Sequence, residues 1–286
     1  MTIAVHSYKG GTGKTLLSAN LAATLAKQGK NVCLIDLDFR APSLFSIFKA
    51  EGASTWLNDY LSNGCEINKI LIDLSSSITG TGKFFVGLAN PSTEAIRDMS
   101  TKDRKWETNA LGRLLALRKT LLDRGAFDYI VFDTSPGLQF SSINAIVAAD
   151  LIILVTTGDR SDVEGTRNML KGLYKLFGKK TGMIINKIPS ESFSATSWIT
   201  RFTSDTLYPS IVGVMPCFCD ILRAEGKSLY AIENPNHPFT LMLQGIARNI
   251  EWLMHNSSNT GGILPDQNTE PKIVVPRFAE DQDILS

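Results

Sequence analysis

Short, nearly unbroken apolar runs punctuate the chain at Thr2–Ser7, Asn31–Asp36, Tyr129–Asp133, Leu151–Thr157, Gly182–Asn186 and Ile211–Met215. A strand covered on one face alternates apolar with polar residues, whereas a strand sandwiched between two layers is apolar throughout. These six runs therefore predict a sheet buried on both sides. Between them the period changes. Leu17, Leu21 and Leu25 recur every fourth residue, which predicts a helix after the first strand with Gly29 as its stop. Leu111, Leu114, Leu115, Leu121 and Leu122 mark the apolar face of another helix, ending near Gly125. Strand–helix–strand alternation predicts an α/β fold, a mostly parallel β-sheet flanked by helices on both faces.

The stretch 51–103 breaks this rhythm. It predicts a short helix at Thr55–Leu61 and a strand at Lys83–Leu88, and it reads as an insertion within the same domain. A last helix is predicted over Phe239–Met254. Beyond it, residues 256–286 are rich in Ser, Asn, Gly, Pro and acidic residues, the composition of a flexible tail with little core of its own. The expected organisation is one domain over 1–255 followed by that tail.

Composition narrows the function classes. The chain has 286 residues, 43% hydrophobic and 20% charged, enough to bury a sizeable core. A net charge of +1 gives no global field toward DNA or an anionic membrane. Arg160, Arg167, Lys171, Lys175, Lys179 and Lys180 concentrate positive charge locally, a pattern that most often marks a solvated face. Cys33, Cys65, Cys217 and Cys219 are too few and too scattered for a disulfide scaffold. The opening MTIAVHSYKGG lacks a basic leader and no apolar run is long enough to span a bilayer, so a cytoplasmic protein is expected.

The sharpest chemistry is Lys9-Gly10-Gly11-Thr12-Gly13-Lys14-Thr15, placed between a predicted strand and a predicted helix. Glycines let the backbone turn its N–H groups inward onto phosphate oxygens, and the helix adds its positive N-terminal end. Lys14 would reach the β- and γ-phosphates and the Thr15 hydroxyl would bind Mg²⁺. Such a loop needs carboxylates for the metal and the attacking water. Asp36 and Asp38 end the second strand, and Asp133 ends another as a candidate Walker B aspartate meeting Mg²⁺ through water. Gly137, four residues on, fits a switch loop whose N–H contacts the γ-phosphate.

The ordinary phosphate loop has glycine where this chain has Tyr8, and here an extra lysine, Lys9, precedes the glycine pair. In this the sequence resembles the MinD/ParA family, P-loop ATPases of the SIMIBI class with a deviant Walker A motif. The resemblance runs from about Thr2 to Gly226. It implies ATP and Mg²⁺ as cofactors and an ATP-dependent homodimer in which Lys9 reaches across to the partner's phosphates. It further implies that Asp38, the second aspartate of Asp-x-Asp, is associated with the attacking water. Asn186 would hydrogen-bond adenine, and Pro216 would lie in the segment lining the base. Guanine-specific relatives use Asn-Lys-x-Asp, and Asn186-Lys187-Ile188-Pro189 lacks that aspartate, which favours ATP. The implied output is positioning or partitioning of a cargo, with an unidentified protein partner.

Two features depart from the family pattern. Pro216-Cys217-Phe218-Cys219-Asp220 places two thiols one residue apart; in an extended segment they would share a face and could hold a soft metal, the basis of an alternative reading as a metal-delivery ATPase. The other reading of these cysteines is two small buried residues beside the base pocket. The tail, with two prolines and an acidic end, lacks the basic amphipathic helix by which many MinD proteins lie on membrane. Neither membrane nor DNA contact is assigned. His6, in the first strand, reads as packed and hydrogen-bonded rather than catalytic.

Overall fold

The computed structural model of the chain describes residues 1–50, 52–78, 80–123, 125–174, 177–189, 209–224, 226 and 228–255. The tail 256–286 and Lys175, both singled out above, lie outside them. In chain order the elements are β1 Thr2–His6, α1 Lys14–Lys27, β2 Val32–Leu37, α2 Leu44–Phe48, α3 Leu57–Leu61, β3 Leu71–Asp73, β4 Phe84–Gly87, α4 Thr93–Ser100, α5 Arg104–Asp123 and β5 Tyr129–Thr134. Then follow α6 Phe140–Ala148, β6 Leu151–Thr157, α7 Arg160–Met169, β7 Lys180–Ile188, β8 Ser210–Pro216, α8 Cys219–Arg223, α9 Tyr230–Glu233 and α10 Pro238–His255.

All eight strands form one sheet in the order β3-β4-β2-β5-β1-β6-β7-β8, parallel except for β3 against β4. The six apolar runs each become a strand because both faces are covered. Ile3 and Val5, Val32 and Leu34, and Ile153 and Val155 turn toward α1 and α10. Ala4, Cys33, Ile35, Ile130 and Phe132 turn the other way, onto α3, α5 and α6. Period-two alternation thus exists, but between two apolar layers rather than between core and water.

The stretch 51–103 is more than an insertion. Its β4 pairs in parallel with β2, Val32 opposite Phe84, and β3 folds back antiparallel to extend the sheet edge. Three residues with no buried position gave β3 no legible pattern. Nor does α4 bury any residue; its start is set by the Ser92 hydroxyl, which accepts from Ala95 N at 3.2 Å.

Parallel pairing aligns the carboxyl ends of β1, β2, β5 and β6, and the loops that follow them gather at one edge. The candidate site lies there. No helix among the described residues is long and apolar enough to cross a membrane.

Candidate nucleotide site

Residues 7–13 leave β1 as a loop and end in α1. Gly13 caps that helix in the left-handed region, at φ 95° and ψ 15°. A Cβ there would stand 2.6 Å from Asn186 Nδ2, so the position needs glycine twice over. Two side chains from the end of β7 hold the loop. Asn186 Nδ2 donates to the Thr12 carbonyl at 2.8 Å, and Lys187 Nζ donates to the Gly11 carbonyl at 2.7 Å. Lys187 does so with φ 58°, a left-handed backbone that costs a lysine about 1–2 kcal/mol. Nothing in its residue type announced this role. The first turn of α1 carries no acidic residue, leaving its positive end unneutralised.

Asp36 and Asp133 are directly opposed in the β2–β5 register and both are fully buried. One oxygen of each is used: Asp36 Oδ1 accepts from Asp38 N at 3.0 Å, and Asp133 Oδ1 accepts from the Ser18 hydroxyl at 3.0 Å. The Thr15 hydroxyl lies near enough to Asp133 to pull its pKa down. Asp36 Oδ2 and Asp133 Oδ2 have no partner. Burial, then mutual repulsion, pushes the Asp36 carboxyl well above the ordinary range. Burial likewise raises Asp133 to about 6, against the pull of Thr15, Lys14 and Ser18. Two buried carboxylates with an idle oxygen each, beside a threonine hydroxyl, suit a hard cation with oxygen ligands. Among the described residues no cluster of three or more His, Cys, Asp or Glu could hold a metal. Mg²⁺ would therefore complete its shell with water and phosphate oxygens, its usual habit.

Asp38 joins the loops after β2 and β5. Its Oδ1 accepts from the Ser135 hydroxyl at 2.8 Å and from Ala41 N at 3.2 Å. Gly137 is pinned at both ends: its N–H donates to the Ser7 carbonyl at 2.8 Å, and its carbonyl lies 2.8 Å from His6 Nε2. Nε2 must carry a proton to donate there. Burial lowers the His6 pKa to about 4 and keeps the ring neutral. His6 is thus packed and hydrogen-bonded as its position in an apolar strand suggested, and it holds the Gly137 carbonyl besides.

Lys14 is 6% exposed, and desolvation lowers its pKa against the attraction of Asp133, Asp38 and Asp162. Lys9 points elsewhere, to α7: its Nζ donates to Ser161 Oγ at 2.6 Å and to Asp159 Oδ1 at 3.1 Å, with the side chain 48% exposed. The preceding Tyr8 lays its ring on Gly165 of α7, where a Cβ would meet ring carbons at 2.0 Å.

These elements enclose a cavity of about 480 Å³ lined by Gly10, Gly11, Gly13, Lys14, Thr15, Leu16, Asp38, Arg40, Ala41, Ser43, Ser135, Pro136 and Gln139. Sequence reasoning missed Arg40, Ser135 and Gln139, which only folding brings to the loop. Asn186 and Pro216 do not line this cavity. Pro216 is buried at the end of β8, opposite Ile188, and the Asn186 amide nitrogen is committed to Thr12.

The cysteine pair lies where β8 gives way to α8: Phe218, between the two, has an extended backbone at φ -99° and ψ 110°, Cys219 opens α8, and the Cys217 N–H donates to the Ile188 carbonyl at 2.7 Å. The two are not both buried: Cys217 is partly buried and Cys219 is exposed, so the reading of two small buried residues does not hold. The basic run disperses too. Lys179 Nζ binds the Val147 and Ala149 carbonyls, Lys180 Nζ binds that of Met254, and Arg160 pairs with Glu164.

Residues 1–185, from β1 into β7, match a family model described as an AAA domain. The chain is 30% identical over 253 residues to the septum site-determining protein MinD of Synechocystis, covering 87% of this chain and 88% of that one. Its fold superposes on the Pyrococcus horikoshii MinD, solved with Mg-ADP, at a TM-score of 0.69 and 23% identity, over 89% and 98% of the two chains. It also superposes on a plasmid partition protein of Borrelia burgdorferi bound to AMPPNP, at 0.60 and 21% identity, over 77% and 88%. Deviant loop, strand-end aspartates, sheet order and matched length agree: the chain belongs to the MinD/ParA family of P-loop ATPases.

Proposed function

We propose that this chain is an Mg²⁺-dependent ATPase that turns over slowly and dimerises when ATP is bound, in the service of positioning or partitioning a cargo. One observation carries the reading most: Asp36 and Asp133, opposed across two strands, each bury an idle oxygen, with Thr15 of the phosphate loop acting on Asp133. Unpaired carboxylate oxygens are costly inside a protein, and a bound cation with its nucleotide would repay that cost. That the Pyrococcus horikoshii relative holds Mg-ADP and the Borrelia one AMPPNP supports the same chemistry. The Synechocystis septum site-determining protein and the Borrelia partition protein support the spatial role.

In this reading Lys14 and the backbone N–H groups of residues 10–15 cradle the phosphates. Thr15, Asp36 and Asp133 hold the cation, partly through water, which would draw charge from the phosphate oxygens. Asp38 orients the attacking water, held in place by Ser135. Gly137 releases Ser7 and turns its N–H to the γ-phosphate. Lys9 leaves Asp159 and Ser161 to reach the partner's nucleotide, a move eased by its exposure, since an exposed ion pair is worth at most about 1 kcal/mol. Asn186, and Pro216 nearby, would face the base. Once the γ-phosphate departs, nothing ties the switch loops across the interface and the dimer separates. Residues 1–255 would supply all of this and the tail none of it.

Light scattering with ADP and with ATP tests it, using Asp38→Ala to slow turnover. A dimer present only with ATP and absent in Lys9→Ala is expected. A monomer under every condition would overturn the switch.

A further inference from the structure

Two of the residues lining the 480 Å³ cavity are cationic, Lys14 and Arg40. Lys14 is buried among Asp133, Asp38 and Asp162, whose charges already act on it. Lys9, the other loop lysine, is turned to Asp159 and Ser161 and does not line the cavity. A nucleoside triphosphate is strongly anionic, and of the two cationic side chains lining the cavity Lys14 is already shared with three aspartates, which leaves Arg40 to answer the charge of the end phosphate.

Arg40 lies on the loop between β2 and α2, two residues past Asp38. Buried neighbours hold that loop: Phe39 is 5% exposed, Leu44 is fully buried, and Ala41 N is bonded to Asp38. Arg40 itself is exposed, and among the described residues no hydrogen bond or ion pair engages its guanidinium. The rest of the lining is phosphate loop and switch loop, without Asn186 or Pro216, so this is the phosphate end of the site.

We propose that Arg40 reads the terminal phosphate in cis: its forked donors bind γ-phosphate oxygens and make this site prefer a nucleoside triphosphate over a diphosphate. A planar guanidinium matches two phosphate oxygens at once, which an ammonium cannot. The proposal rests on the ATP reading above and adds the determinant of its selectivity.

Calorimetric titration of the full chain with AMPPNP and with ADP, both with Mg²⁺, tests it in wild type, Arg40→Ala and Arg40→Lys. Arg40→Ala should weaken AMPPNP about 10- to 100-fold, the scale of a charge-assisted pair, while ADP stays within about twofold. Arg40→Lys should recover part of the loss. Because Arg40 is exposed and has no partner among the described residues, these variants should keep the melting temperature of wild type. The same contrast measured in Lys9→Ala should persist; its disappearance would overturn the cis assignment in favour of a contact between subunits. Equal loss for both nucleotides, or none, overturns selectivity by Arg40. A wild type that binds neither nucleotide overturns the ATP reading and this one with it.

Discussion

The carboxyl edge of the sheet has two halves that treat their polar atoms oppositely. At the ends of β2 and β5, Asp36 and Asp133 each leave an oxygen without a partner. At the end of β7, Asn186 and Lys187 spend their donors on the carbonyls of Thr12 and Gly11. The first half stores unfavourable electrostatics that a ligand can relieve; the second is satisfied already and holds the loop in shape. Loss of a side chain should therefore stabilise one half of the empty protein and destabilise the other, while harming function in both.

The largest effect belongs to Lys14. Lys14→Ala should weaken nucleotide binding on the order of 100-fold or more, since a buried charge-assisted contact is lost. Normal binding of a labelled ATP analogue by this variant would refute the phosphate loop itself.

Next comes pH, where two buried groups oppose each other. The folded pKa of Asp133, about 6, lies above its ordinary 3.8, so the native state takes up protons first and acidification from pH 6 toward 3.8 stabilises it. The folded pKa of His6, about 4, lies below its ordinary 6.5, so the unfolded state takes up protons first and acidification from pH 6.5 toward 4 destabilises the fold. At about 1.4 kcal/mol per unit each effect is on the order of a few kcal/mol, and Asp36, also raised by burial and by Asp133, acts on the same side as Asp133. Asp133→Asn should remove one of the two acid-favoured carboxyls, giving a nucleotide-free protein that is more stable at pH 7 and that gains less, relative to wild type, as the pH falls below 6.5. His6→Gln should do the reverse and gain stability on acidification. Chemical denaturation between pH 4 and 7 measures both, and slopes displaced from wild type in the same direction would break the contrast.

The smallest effect is at the satisfied half. Asn186→Ala leaves the Thr12 carbonyl unpaired and should cost about 1–2 kcal/mol in the empty protein, a drop in Tm of several degrees. An Asn186→Ala protein that melts at or above the wild-type temperature would show that the amide is not a structural tie.

The sheet was readable because burial on both faces removes polar residues from six central strands, and no tertiary detail can disguise that. Edge elements were not. Three half-exposed residues make β3, and α4 buries nothing, so neither writes a period into the sequence. The exposure of the cysteine pair was not legible either, since it depends on where β8 ends and α8 begins, which spacing alone does not show.

By itself the sequence determined the family, the phosphate loop and the strand-end aspartates, because those depend on residue type at fixed spacing next to a strand or a helix. Only the tertiary structure decided which partners those residues have. It set Asp36 against Asp133 across two strands, turned Lys9 to α7, gave the Asn186 amide to Thr12, and brought Arg40 and Gln139 to the cavity wall. Such pairings join residues about a hundred or more positions apart, and they follow from strand order and register rather than from any local pattern.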